Sequence, residues 1–95
     1  MKKHTKIYFN YFDVEYDPQS GWHNCKSEIS GLPAKDIHHI EARGMGGSRS
    51  ADRIENLMAL TREEHEKFGD KKQFIDYLKS IHADYIKRFD QNKSK

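Results

Sequence analysis

Asp36-Ile37-His38-His39-Ile40, then Ile54-Glu55-Asn56-Leu57, then His65: the fold of this chain turns on how these three pieces are joined. Residues 35–40 read as an extended run, and Leu57-Met58-Ala59-Leu60 is a short apolar run suited to a second strand. Immediately after it, Thr61-Arg62-Glu63-Glu64 has the spacing of a capping box, in which the first side chain and the fourth satisfy each other's free backbone N–H groups and open a helix. His65 then lies just over one turn inside that helix. Between the strands, residues 41–52 carry Gly44, Gly46, Gly47, Ser48 and Ser50 in close succession, which marks a loop. The expected order is strand, loop, strand, helix.

Working outward, Gly69 is placed to close the short helix, and Asp70-Lys71-Lys72-Gln73 offers a cap for a longer one. Phe74, Leu78, Ile81, Tyr85 and Phe89 recur at helical spacing, so an amphipathic helix is expected over about residues 71–89. Asp76 and Asp84 on its polar face favour covering a core over lying on a membrane. Residues 87–95 are expected to fray. Upstream, Ile7, Phe9 and Tyr11 alternate with Lys6, Tyr8 and Asn10, which predicts a strand over residues 6–16. Asp17-Pro18-Gln19-Ser20-Gly21 reads as a turn, and residues 22–31 as irregular chain or a short hairpin.

With 95 residues there is room for one domain. The chain is polar, at 35% apolar and 34% charged, yet 12% aromatic residues argue against disorder. Its 17 basic and 15 acidic residues leave a net charge of +2, so contact with phosphate must come from local clustering. The lone Cys25 can form neither an intrachain disulfide nor a Cys-rich zinc knuckle, and is expected to be a small buried hydrophobe. A reducing, cytoplasmic setting fits, and no stretch approaches the roughly 20 apolar residues of a membrane span.

Three histidines carry the chemistry. Adjacent residues on a strand point to opposite sides, so His38 and His39 can serve one site only if the strand is kinked or ends there. The loop that follows allows this. A histidine early on a helix packed back across the hairpin can reach the same ion, and imidazole suits zinc, nickel, manganese and, more weakly, magnesium. Two protein ligands leave positions open for water and a phosphate oxygen. A hydrolytic site needs that opening, and it needs a base working near neutral pH, which histidine can be. His4, His23 and His82 read as surface or packed residues.

His38-His39-Ile40, Arg43-Gly44-Met45-Gly46-Gly47, Asp52, Asn56-Leu57 and His65 together resemble the HNH endonucleases, the family with the ββα-metal fold. The resemblance runs from about Cys25 to Gly69, and the nine residues from Asn56 to His65 agree with the HNH domains of CRISPR effector nucleases. It implies an α+β fold: a ββα-metal core over about residues 25–69, flanked by the N-terminal strand and the C-terminal helix, in one domain spanning 1–95. His38 then resembles the first metal ligand, His39 the general base, Asn56 the asparagine that braces the loop and the strand of the base, and His65 the helix ligand. Asp36 is a further candidate ligand, direct or through water. Arg43 and Arg49 are candidates for gripping backbone phosphate with their guanidinium forks.

Two departures shape the expectation. Many members hold a structural zinc with two CxxC pairs, which this chain lacks, so no structural zinc is expected. Colicin-type members place a third histidine four residues after the helix ligand, where this chain has Gly69. The site therefore resembles the two-ligand members that work with magnesium or manganese, with nickel or zinc as further options. The activity implied is hydrolysis of DNA phosphodiester bonds to a 5′-phosphate and a 3′-hydroxyl. The alternatives weighed are a nucleic-acid-binding module on an HNH scaffold, catalytically weak or dependent on a partner, and a metal-binding structural protein. Short free-standing members resemble those of phages and mobile elements. That implies a host-cell cytoplasmic setting and a homodimer or a phage or host protein as partner. If the first strand lies at an edge, Tyr8, Tyr11, Phe12 and Tyr16 would supply an exposed aromatic patch.

Overall fold

The computed structural model describes residues 1–41 and 51–93. It is a small α+β structure with three helices and a two-stranded antiparallel sheet among the described residues. Helix α1 spans Lys3–Tyr11, strand β1 Asp36–His39, strand β2 Leu57–Leu60, helix α2 Arg62–Phe68 and helix α3 Ile75–Lys93. Short 3-10 turns at Ile54–Asn56 and Lys72–Phe74 lead into β2 and α3. Among the described residues, no helix is long and apolar enough to cross a membrane.

The expected N-terminal strand is instead α1. In Ile7-Tyr8-Phe9-Asn10-Tyr11-Phe12 apolar residues stand at nearly every position, so a period of two and a period of 3.6 fit equally well, and packing decides. Tyr8, Phe9 and Phe12 are buried together with Leu57, Ala59, Cys25 and Ala34, an arrangement that offsets i, i+1 and i+4 allow only on a helix. Tyr8 and Phe12 are thus core residues of a helix and its cap, not members of an exposed aromatic patch on an edge strand.

The strands pair in a single register, Asp36 with Leu60, Ile37 with Ala59, His38 with Met58 and His39 with Leu57. All of β2 is buried because both faces are covered: one cluster gathers Leu57 and Ala59 with α1, and the other gathers Met58 and Leu60 with Ile40 and Leu78. One residue after β2, Thr61 caps α2. Its hydroxyl accepts the Glu64 N–H, and the Glu64 carboxylate accepts the Thr61 N–H, forming the expected capping box. Ser27 donates to the same carboxylate and ties the upstream loop to α2.

The turn at Asp17 closes as expected, with Gly21 at φ +80. Residues 22–33 add only isolated bridges, Tyr16 with His23 and Lys26 with Pro33. The long helix continues to Lys93, so the expected fraying from residue 87 is not seen. Tyr11 anchors its last turns by donating to Asp90, and Phe12 packs on Phe89.

A buried polar chain locks these layers. Tyr8 donates to Glu28 at 2.6 Å, and Glu28 accepts from Nδ1 of His82, which is 1% exposed, at 2.8 Å. The other ring nitrogen of His82 donates to the Ile54 carbonyl at 2.6 Å. One histidine thereby connects α3 to the turn that begins β2, and through Glu28 to α1.

Candidate metal centre

β1 ends at His39, where Ile40 N–H donates to the Asn56 carbonyl and the chain departs into residues 42–50. Asn56, 2% exposed, governs both edges of that interval. Its side-chain oxygen accepts the Glu41 N–H at 2.8 Å, and its amide donates to the carbonyls of Glu41 at 3.0 Å and Ala51 at 2.9 Å. This is a positioning role, since among the described residues the side chain of Asn56 bonds to backbone alone. Arg43 and Arg49 lie outside the described residues.

Across the hairpin, the His38 and His65 rings stand 4.6 Å apart between centroids. His38 is 4% exposed, and its Nε2 has no hydrogen-bond partner among the described residues. A buried polar atom without a partner is costly, so a nitrogen in that position is a candidate to take a hydrogen bond or a metal ion. Burial, reinforced by the neighbouring His65, holds the His38 pKa down to about 4, which keeps the ring neutral and able to coordinate at neutral pH.

His65 is oriented from behind. Its Nδ1 lies 3.0 Å from Asp36 Oδ2, which leaves Nε2 facing forward. A carboxylate on the rear nitrogen is the usual arrangement that fixes the tautomer of a metal-binding imidazole. Asp36 also binds Arg62 at 2.9 Å. Burial works against its charge, but the bonds from Arg62 and His65 prevail and hold its pKa below the usual range. Asp36, a candidate ligand by sequence, stands behind His65 and is engaged by Arg62 in the structure.

The carboxylate in front is Asp70. Its oxygen and the nitrogens of His38 and His65 all lie within 4.8 Å of one another, with Asp70 Oδ2 3.8 Å from His65 Nε2. Local sequence suggested a helix cap, but Asp70 sits in the left-handed region at φ +58, and the Lys72–Phe74 turn starts from Lys71 without a side-chain cap. Gly69 caps α2 as expected, its N–H donating to the His65 carbonyl.

Beside this triad, His39 Nε2 is 2.8 Å from Asp52 Oδ1. The His4 ring, brought in by the start of α1, lies 4.4 Å from the His39 ring. Burial and the neighbouring His39 lower the pKa of His4. Sequence reasoning left His4 out because nothing local connects it to His39. Lys2, Lys3 and Lys35 stand with these histidines around an open cleft of about 780 Å³.

Cys25 takes no part. Burial, with Glu28 adding to it, raises its thiol pKa to about 12, so it stays protonated. Set against known proteins, the chain matches no family model, no curated protein and no solved structure.

Proposed function

We propose that this chain is a metal-dependent endonuclease of the HNH type that hydrolyses phosphodiester bonds in DNA. The observation that carries the reading is the grouping of His38, whose buried Nε2 has no partner among the described residues, with His65 and Asp70, and a second histidine–carboxylate pair one residue away.

The residues suit a divalent cation, because two imidazoles and one carboxylate are donors that manganese, nickel or zinc accept, and that leave coordination positions open. His38, His65 and Asp70 would hold it. When bound, the ion neutralises negative charge on the phosphate and the leaving oxygen.

The protein's own contribution is the proton transfer. With Nε2–H donated to Asp52, the His39 ring keeps Nδ1 as its basic nitrogen, and Asp52 stabilises the imidazolium formed when Nδ1 takes a proton from the attacking water. Asn56 holds the end of β1 beside the 3-10 turn by bonding the Glu41 and Ala51 backbones, which positions His39 next to His38. Lys2, Lys3 and Lys35 supply the local positive charge that the modest net charge does not.

Plasmid nicking with magnesium, manganese, nickel and zinc in turn tests the reading. Cleavage by the wild type, falling by about 10²–10⁴-fold in His39→Ala and absent with chelator, supports it. Failure to cut plasmid and a single-stranded oligonucleotide alike under every ion removes the enzyme reading and leaves nucleic-acid binding.

A further inference from the structure

A second cavity, about 320 Å³, adjoins the histidine cleft, and the two share Lys2, Thr5, Lys35, Asp36 and Ile37 along their common wall. Its character differs from that of the cleft. Phe9, Tyr16 and Trp22 line it, with Pro18 at the turn and Ala34 and Ile37 beneath. The Phe9 ring is itself fixed between Tyr16 at 5.3 Å and His23 at 5.2 Å.

Trp22 is the feature that packing leaves unexplained. The chain's single tryptophan is 56% exposed, yet its backbone is held by hydrogen bonds of the turn. Its N–H donates to Ser20 Oγ at 3.2 Å, its carbonyl accepts the Asp17 N–H at 2.8 Å, and Gly21 before it takes the positive φ that the turn requires. A large aromatic held out of the core on a hydrogen-bonded turn, beside an aromatic-lined cavity, has the form of a stacking surface.

We propose that this cavity receives one unpaired base of a DNA strand whose neighbouring phosphate lies in the histidine cleft, so that the substrate is DNA with a single-stranded segment. The proposal rests on the nuclease reading and narrows its substrate. The charge pattern agrees. Lys2 and Lys35 stand where the two cavities meet, where the phosphate linking base to cleft would pass, and the Asp36 carboxylate there is already engaged by Arg62 and His65. Asp17 lies on the outer turn with its carboxylate accepting the Gln19 N–H. Aromatic platforms beside basic grooves bind single strands without reading sequence, because every base has a face to stack. A base held in a duplex must first be unstacked to enter, so paired DNA is disfavoured.

Emission from Trp22 reads this directly. In metal-free protein with chelator present, a short oligothymidylate is expected to quench it saturably, whereas a hairpin duplex of equal phosphate count leaves it nearly unchanged. In anisotropy titrations with labelled DNA, Trp22→Ala is expected to weaken single-strand binding by about 5- to 100-fold, the loss typical of one stacked base, and Trp22→Phe to recover part of it. Duplex binding by Trp22→Ala should stay within about twofold of wild type by the same reasoning. Emission unmoved at saturating oligothymidylate, or equal weakening of single-strand and duplex binding, overturns the proposal. Metal-dependent nicking without quenching leaves the nuclease reading intact and removes only this inference. Quenching without cleavage of plasmid or of single-stranded DNA under any ion keeps the base pocket and removes the nuclease.

Discussion

A β-carbon on Gly69 would stand 2.3 Å from Cδ2 of His65 and 2.5 Å from its carbonyl oxygen. Gly69 sits at φ −71, a conformation open to any residue, so the glycine is required by this close approach and not by backbone freedom. A methyl group there must push aside the imidazole that faces His38. Gly69→Ala is therefore expected to lower affinity for manganese by about 10- to 100-fold, the range seen when the support of a metal ligand is disturbed. The fold should survive, since only a helix end is touched. Calorimetric titration with manganese, alongside circular dichroism, checks both halves, and unchanged affinity would remove His65 from the ligand set.

The pairing of His39 with Asp52 yields a different signature. Asp52→Asn keeps the size of the side chain but offers either a neutral acceptor or an N–H to His39 Nε2, so the imidazolium loses its counter-charge and the ring can adopt the wrong tautomer. Nicking is expected to fall by about 10²–10⁴-fold while manganese affinity is unchanged. Equal loss of both would place Asp52 in the metal shell instead.

What the sequence made legible is local. The capping box at Thr61, the apolar run of β2, the turn at Asp17 and the closure of α2 at Gly69 each depend on residues within one turn or one strand. The meeting of His38 with His65 could also be anticipated, because a short strand pair followed at once by a helix leaves few ways to pack. The rest depends on contacts distant in sequence. α1 was hidden because an aromatic-dense run satisfies both periodicities. His4 reaches His39 only once α1 is docked, and Asp70 reaches His65 only because the chain turns left-handed after Gly69. Glu28 and His82 are 54 residues apart and neither looks unusual alone.

Asn56 bears on stability as well as position. Asn56→Ala leaves the Glu41 N–H and the Glu41 and Ala51 carbonyls without the side chain that joins them. Each lost bond in a buried setting costs about 1 kcal/mol or more, so a total of about 3 kcal/mol is expected in urea unfolding. Asn56→Asp should do no better, because it retains the acceptor for Glu41 but turns the amide donor into an anion facing two carbonyls.

The His82–Glu28 pair sets a pH dependence with a definite sign. Burial opposes the charge on His82, but the hydrogen bond and charge of Glu28, aided by the Ile54 carbonyl, prevail and raise its pKa above 6.5. The folded state therefore binds this proton more tightly than the unfolded chain does. The stabilisation is fully present below the unfolded value of 6.5 and is lost as pH rises through the raised folded value. His38 acts in the opposite sense, because its folded value of about 4 makes stability fall as pH drops from 6.5 toward 4. Urea unfolding of wild type and His82→Gln across pH of about 5 to 9 separates the two contributions. The variant is expected to lose about 3 kcal/mol near pH of about 6, as for breaking a buried ion pair, and its deficit should shrink with rising pH. A deficit that grows with pH would mean that the fold holds His82 neutral and binds its proton less tightly than the unfolded chain does.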